Sequence, residues 1–309
     1  ALSARLRRLS PLIRENAAAH KKEHSIEVQI PFLRRVLGRG TKIVAMVMNT
    51  QDLETARQVG LALAQATKGK RVLLVASSDQ SHYPSGSVAD AVDRSTLEAL
   101  KSLDAAFFWL TNRFLMNRGL PHLAVTYCGE GAVLGPRRVG GAVLAVAAAA
   151  RQLGANQVQI LEHINSGDVV SERTYNHVVG YAAAVFTRQP AAGLPPRRSL
   201  SEKQKRQLLA AGRKAIEQAA AGEKFAVALS PEPVFNLPAP VFVSLRRDGR
   251  SVAAAGTLEP QESLLEAVVH NAASLAARAG PGITLEVSVM SSGRGARAPP
   301  GRARRRRRP

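Results

Sequence analysis

One apolar run that breaks abruptly into polar residues most constrains how this chain can fold. It is Arg71-Val-Leu-Leu-Val-Ala-Ser-Ser-Asp-Gln-Ser-His-Tyr83. Val72 to Ala76 is short, rich in Val and Leu and bounded by turn formers, a pattern that predicts a buried strand. In open α/β sheets, ligands sit just beyond the carboxyl ends of the strands. Asp79 and His82 therefore fall where such folds keep their chemistry. A competing reading makes Ser77–Tyr83 a polar loop in which Asp79 caps the next helix.

The flanking segments alternate in type. Leu2, Leu6 and Leu9 recur at helical spacing up to Ser10-Pro11, and Ile26, Ile30, Leu33 and Leu37 mark one face of a second helix that Ser25 can cap. Lys42–Met48 reads as a strand and Asp52–Ala66 as a helix with Leu53, Ala56, Val59, Leu63 and Ala66 inward. Val88–Leu103, Ala105–Met116 and Gly140–Leu153 read as helices. Gln157–Ile164 is a strand ending in Asn165-Ser-Gly-Asp168, and His177–Phe186 returns to the sheet. This alternation predicts an α/β fold, a mostly parallel sheet sandwiched by helices.

Pro and Gly then mark a linker over residues 190–200, and the pattern restarts. Ser201–Ala220 and Leu264–Ala277 read as helices, Val241–Leu245 and Ile283–Val289 as strands, and Pro231–Pro240, with four prolines, as a loop. The expected organisation is an α/β domain over residues 1–189 and a small α+β domain over 201–292. Residues 293–309, with eight arginines, are expected to be a disordered tail.

Composition narrows the function classes. No apolar run approaches the roughly 18–20 residues that span a bilayer. Ala1–Arg14 lacks the apolar core of a secretory signal. The single cysteine, Cys128, excludes an internal disulfide framework, so a cytoplasmic setting is expected. The net charge of +20 invites a nucleic-acid reading. Much of it lies in the tail, the rest is scattered, and no aromatic-interleaved basic stripe occurs, so specific nucleic-acid binding is not expected.

Four clusters carry reactive groups: Glu23-His24, Asp79 with His82, Cys128 in a glycine-flanked turn, and Asn165-Ser-Gly-Asp168. Imidazole with thiolate suits zinc, iron or copper. Asp79 can orient the His82 ring, which would then serve as a general acid/base. Each cluster alone is weak: a lone Cys is usually a small buried hydrophobe, and His122, His163 and His270 read as structural or surface residues. Gly129 and Gly131 are not followed by Lys-Ser/Thr, which rules out a phosphate loop of that type.

Together the clusters carry a resemblance. Glu23-His-Ser-Ile-Glu-Val-Gln-Ile-Pro-Phe-Leu33, Ser77-Ser-Asp-Gln-Ser-His-Tyr83, Cys128-Gly, and Ser166-Gly-Asp168 followed by Val178-Val-Gly-Tyr181 resemble the Memo family, also called AmmeMemoRadiSam system protein B. The resemblance implies a fold like that of class III extradiol dioxygenases, with iron or copper bound by two histidines and a cysteine. Cys128 matches that cysteine, and His82 the dioxygenase acid/base position. His24, Glu27, Ser78 and Asp168 are further candidate pocket residues. A radical-SAM protein of the same system is the implied partner.

The second segment resembles the AMMECR-type domain, or AmmeMemoRadiSam system protein A, through Val241-Phe-Val-Ser-Leu245, Gly256-Thr-Leu-Glu-Pro260 and Val287-Ser-Val289. It departs from that family where Ser251-Val-Ala-Ala-Ala-Gly256 replaces a Leu-Arg-Gly-Cys-Ile-Gly pattern. In the first segment, the His-Ala-Gly and Gly-Pro-Ser-His contexts of the two ligand histidines do not occur. The expectation is a chain missing the N-terminal strand and loop, holding metal weakly or not at all, with an unpaired strand edge that invites oligomerisation.

Overall fold

The computed structural model describes residues 2–21, 23–49, 52–116, 140–169, 176–190, 193, 195, 198–223 and 226–290. Helix α1 (Leu2–Leu9) buries Leu6 and stops before Pro11, which has no N–H to continue it. The expected helix from Ile26 is split. A single 3-10 turn (Glu27–Gln29) precedes α2 (Ile30–Leu37), with Pro31 in its first turn and Gly38 ending it at φ 85°. Ser25 does not cap it. The Glu23 carboxylate does that work, accepting from the N–H of Ser25 at 2.7 Å and of Ile26 at 3.1 Å.

Lys42–Met48 and Arg71–Ala76, expected as strands, form no ladder among the described residues. Met46, Met48 and Leu74 lean on a cluster of Leu6, Val59, Leu63 and Ala145, while Ile43, Val44, Leu73 and Val75 stay exposed. Composition supplied the apolar side chains, but a strand also needs a neighbour's N–H and C=O groups.

Helix α3 (Leu53–Thr67) starts at Asp52, whose carboxylate accepts the Thr55 N–H at 2.8 Å. Helices α4 (Gly86–Lys101), α5 (Ala105–Met116) and α6 (Gly141–Gln152) follow. Gly60 lets α3 lie against α6: a Cβ there would stand 2.5 Å from the Ala145 carbonyl oxygen. Strand β1 (Gln157–Asn165), the short helix α7 (Ser166–Val169) and β2 (Gly180–Thr187) complete the first segment. β1 and β2 pair antiparallel, from Gln157 opposite Thr187 to Asn165 opposite Gly180. The mixed helix/strand class expected from sequence is present, but the mostly parallel sheet is corrected. Among the described residues both sheets are antiparallel, with two and three strands.

The second segment begins with α8 (Glu202–Ala220), opened by a reciprocal cap between Ser201 and Gln204. β3 (Val241–Arg247) turns through Asp248 and Gly249, both at positive φ, into β4 (Arg250–Thr257). Helix α9 (Leu264–Ser274) carries the same kind of cap from Ser263 and Glu266, and β5 (Thr284–Val289) pairs on the other side of β3. The proline-rich stretch read as a loop is buried: Val234, Phe235, Leu237 and Ala239 lie in a core shared with Leu97, Leu100, Phe107 and Phe108 of the first segment. Arg198 of the linker stacks over Phe107, 5.4 Å from its centroid, and donates to the Pro238 carbonyl.

Candidate functional site

Three stretches converge at the ends of β1 and β2. Gln80 N–H donates to the Gly180 carbonyl and Gly180 N–H to the Ser81 carbonyl, both at 2.9 Å. Tyr83 N–H reaches the Val178 carbonyl at 2.7 Å, and Val178 N–H the Pro84 carbonyl at 2.9 Å. Residues 80–84 thus run antiparallel to 178–180, with His82 opposite Val179. On its other side, Val179 exchanges bonds with the N–H and hydroxyl of Ser166.

This lattice presents the carboxylate–imidazole pair. His82 Nε2 lies 3.5 Å from Asp79 Oδ2. His82 Nδ1 is 3.2 Å from the Gln80 carbonyl, which can only accept, so Nδ1 is the donor there. The His82 side chain is 18 % exposed and that of Asp79 49 %. The Tyr83 ring meets His82 edge-on at 5.5 Å, and Tyr83 holds φ 63°, a left-handed conformation unusual for a bulky residue. The neighbouring Tyr181 phenol is pushed up, first by burial and then by the charges of Asp79 and Tyr83. Asp79 does not cap the following helix, since α4 begins at Gly86 with Ser85 before it.

The remaining candidates play other parts. Ser78 Oγ donates to the Asp79 carbonyl at 3.2 Å. Asp168 accepts the Asn165 N–H at 3.0 Å and so closes the turn at the end of β1. His24 and Glu27 pair with each other at 2.8 Å, both largely exposed. Their motif still reaches the site: Gln29 Nε2 donates to Ser77 Oγ at 3.0 Å, and that hydroxyl donates to the Ser25 carbonyl at 2.8 Å. Cys128 and His122 lie outside the described residues. Among the described residues no group of three or more His, Cys, Asp or Glu side chains could hold a metal ion. Asp79 and His82 alone do not fit a metal centre.

Sequence reading missed the support behind the pair. Asp93 of α4 is fully buried. Its Oδ1 accepts the Ser81 N–H and its Oδ2 the Ser81 hydroxyl, each at 3.0 Å. His163 Nε2, on β1, lies 3.5 Å from the same Oδ2. Burial raises the Asp93 carboxyl above its usual range, opposed by the hydrogen bonds from His163 and Ser81. A signal was present: Asp93 interrupts a stripe of Ala89, Val92, Thr96 and Leu100 that is otherwise free of charge. His163, expected as a structural or surface residue, has a buried side chain, with no hydrogen-bond partner at Nδ1.

These features define a mixed helix/strand protein with a carboxylate–imidazole pair where a surface loop is stitched to the ends of two strands. A family model described as Memo-like protein matches residues 1–185, and the chain belongs to that family. It is 34 % identical over 168 residues to a MEMO1 family protein of Nitrosopumilus maritimus, covering 54 % of each chain. It is 34 % identical over 177 residues to MEMO1 family protein MK0963 of Methanopyrus kandleri, covering 56 % of this chain and 55 % of that one. With Thermoplasma volcanium TV1383, also a MEMO1 family protein, identity is 32 % over 188 residues and 61 % of each chain. The chain spans a little over half the length of such relatives. No solved structure matches it. Among the described residues no helix is long and apolar enough to cross a membrane.

Proposed function

We propose that the Asp79/His82 pair is the acid/base element of a Memo-type site, with His82 moving a proton at Nε2 and Asp79 orienting the ring and stabilising its charged form. The observation that carries this reading is the double engagement of the imidazole. Nδ1 donates to the Gln80 carbonyl, which leaves Nε2 facing Asp79 in a partly open setting. When both ring nitrogens carry protons, both have acceptors in place. The fold this implies is dioxygenase-like in the first segment, with a degenerate AMMECR-like domain in the second.

Within this reading the cofactor of the complete family site is iron or copper, with Cys128 as this chain's ligand. This sequence contains neither histidine context of the resemblance, and a single cysteine ligand leaves too few donors to fix a coordination geometry. The chain should therefore retain metal weakly. Metal content after purification from iron- and copper-supplemented cells tests it: well under one metal per chain is expected. Stoichiometric metal that is lost on Cys128→Ala would overturn the weak-site reading. For the pair, Asp79→Asn should shift the His82 Nε2 signal in NMR of labelled imidazole; an unmoved signal would sink it.

A second reading, an interaction module for a radical-SAM partner, is favoured by the apolar residues α2 leaves in solvent, Phe32 at 72 % and Val36 at 80 % exposed. Co-purification of a radical-SAM protein that is lost on Phe32→Ser would support it. Its absence from wild-type isolates would count against it.

A further inference from the structure

We propose that Asp93 is the positioning residue for His82, acting through Ser81. The inference rests on the acid/base reading of the Asp79/His82 pair. Asp93 touches neither member. It holds the residue immediately before His82 at two points, the backbone N–H and the hydroxyl, each at 3.0 Å. A third point, the Ser81 carbonyl, is held by Gly180 N–H at 2.9 Å. With all three polar groups of Ser81 committed, its peptide plane and side-chain direction are both fixed.

Extended backbone sends neighbouring side chains to opposite faces. Anchoring Ser81 inward on α4 therefore turns His82 outward, to Asp79 and Tyr83. Tyr83, next to His82, holds positive φ, a conformation that costs roughly 1–2 kcal/mol and persists only when its surroundings over-determine it. Two bonds at this turn, Tyr83 N–H to Val178 and His177 Nδ1 to the Tyr83 carbonyl at 3.1 Å, restrain it.

Two observations indicate a clamp built for this place. Gly180 approaches so closely that a Cβ would stand 1.8 Å from Asp93 Oδ2, so only glycine lets the strand, Asp93 and Ser81 meet. The buried carboxylate also has a counter-group. His163 faces it from β1, where the Nε2–H tautomer can donate toward Oδ2 and leave Nδ1 as an unprotonated acceptor. Burying a charge without another role is expensive, and a serine held only for packing would not need one.

The test is the NMR signature of the His82 imidazole, its two ring-nitrogen shifts, read on the full chain labelled at histidine in Asp93→Asn, Ser81→Ala, Ser81→Thr and Asp79→Asn. Asp93→Asn removes the charge and one of the two acceptors. Ser81→Ala keeps the charge and removes the hydroxyl anchor, so it separates pose from field and remains informative should Asp93→Asn fail to fold. Both should weaken the Nδ1–H bond to the Gln80 carbonyl, seen as mixing of the two ring tautomers. Ser81→Thr, which keeps the N–H and the hydroxyl, should retain the wild-type signature. A folded Ser81→Ala with the wild-type signature overturns the proposal. If Asp79→Asn shifts the Nε2 signal and Ser81→Ala changes neither nitrogen, positioning fails while the pair stands. If Asp79→Asn leaves Nε2 unmoved, the acid/base reading itself fails.

Discussion

Asn236 Nδ2 donates to Ser95 Oγ at 3.0 Å, joining the second segment to the helix that carries Asp93. The same amide donates to the Ser230 carbonyl and accepts the Ser230 N–H, each at 2.8 Å, so the buried side chain is fully used. Asn236→Ala would leave Ser95 and the Ser230 N–H short of partners, at a cost of about 1–3 kcal/mol. With a continuous core on either side, wild type should unfold in one urea transition, and the variant in one transition at lower urea. Two separate wild-type transitions would show that the halves are independent.

Gly180→Ala should be among the most damaging single-methyl changes in the chain. Its Cβ would fall 1.8 Å from Asp93 Oδ2 and 3.0 Å from Ser81 Oγ, and the backbone there is tied on both sides. Overpacking of this kind costs about 1–3 kcal/mol or more. Gly40→Ala, with nothing within 4 Å of the new methyl, is the control and should be silent in thermal unfolding.

The buried Asp93 sets a pH dependence of definite sign. Its folded-state pKa is raised by burial, so in the window above the unfolded value of about 3.9 the native state binds more protons than the unfolded one. Stability from this group therefore falls as pH rises through that window, up to the raised pKa. Asp93→Asn should flatten this slope in urea unfolding measured from pH 4 upward, and a slope unchanged by the substitution would contradict the assignment.

The apolar residues that α2 and the stretches 42–48 and 71–76 leave in solvent should promote self-association. Phe32 and Val36 are the most exposed, with Leu73 and Val75 beyond them. Phe32→Ser with Val36→Lys should lower the sedimentation-derived mass toward that of a monomer without lowering the melting temperature. Wild type that is already a monodisperse monomer would refute the prediction.

Most helices were legible in the sequence because their signals are local. Asp52, Ser201 and Ser263 stand at caps, and leucines and alanines recur at helical spacing behind them. The Ser77–Tyr83 stretch stood out as a candidate site for a similar reason, an apolar run breaking into a carboxylate and an imidazole. Sheet direction was not, because periodicity specifies which residues extend and says nothing of which strand each will meet. Lys42–Met48 has the side chains of a strand and no ladder partner among the described residues, whereas β1 found β2 in antiparallel register. What the sequence alone determined is where the helices begin and where the polar chemistry lies. Only the tertiary structure decided that Asp93, distant from the pair along the chain, would hold Ser81, because hydrogen bonds between buried groups depend on how α4 packs against β1 and β2.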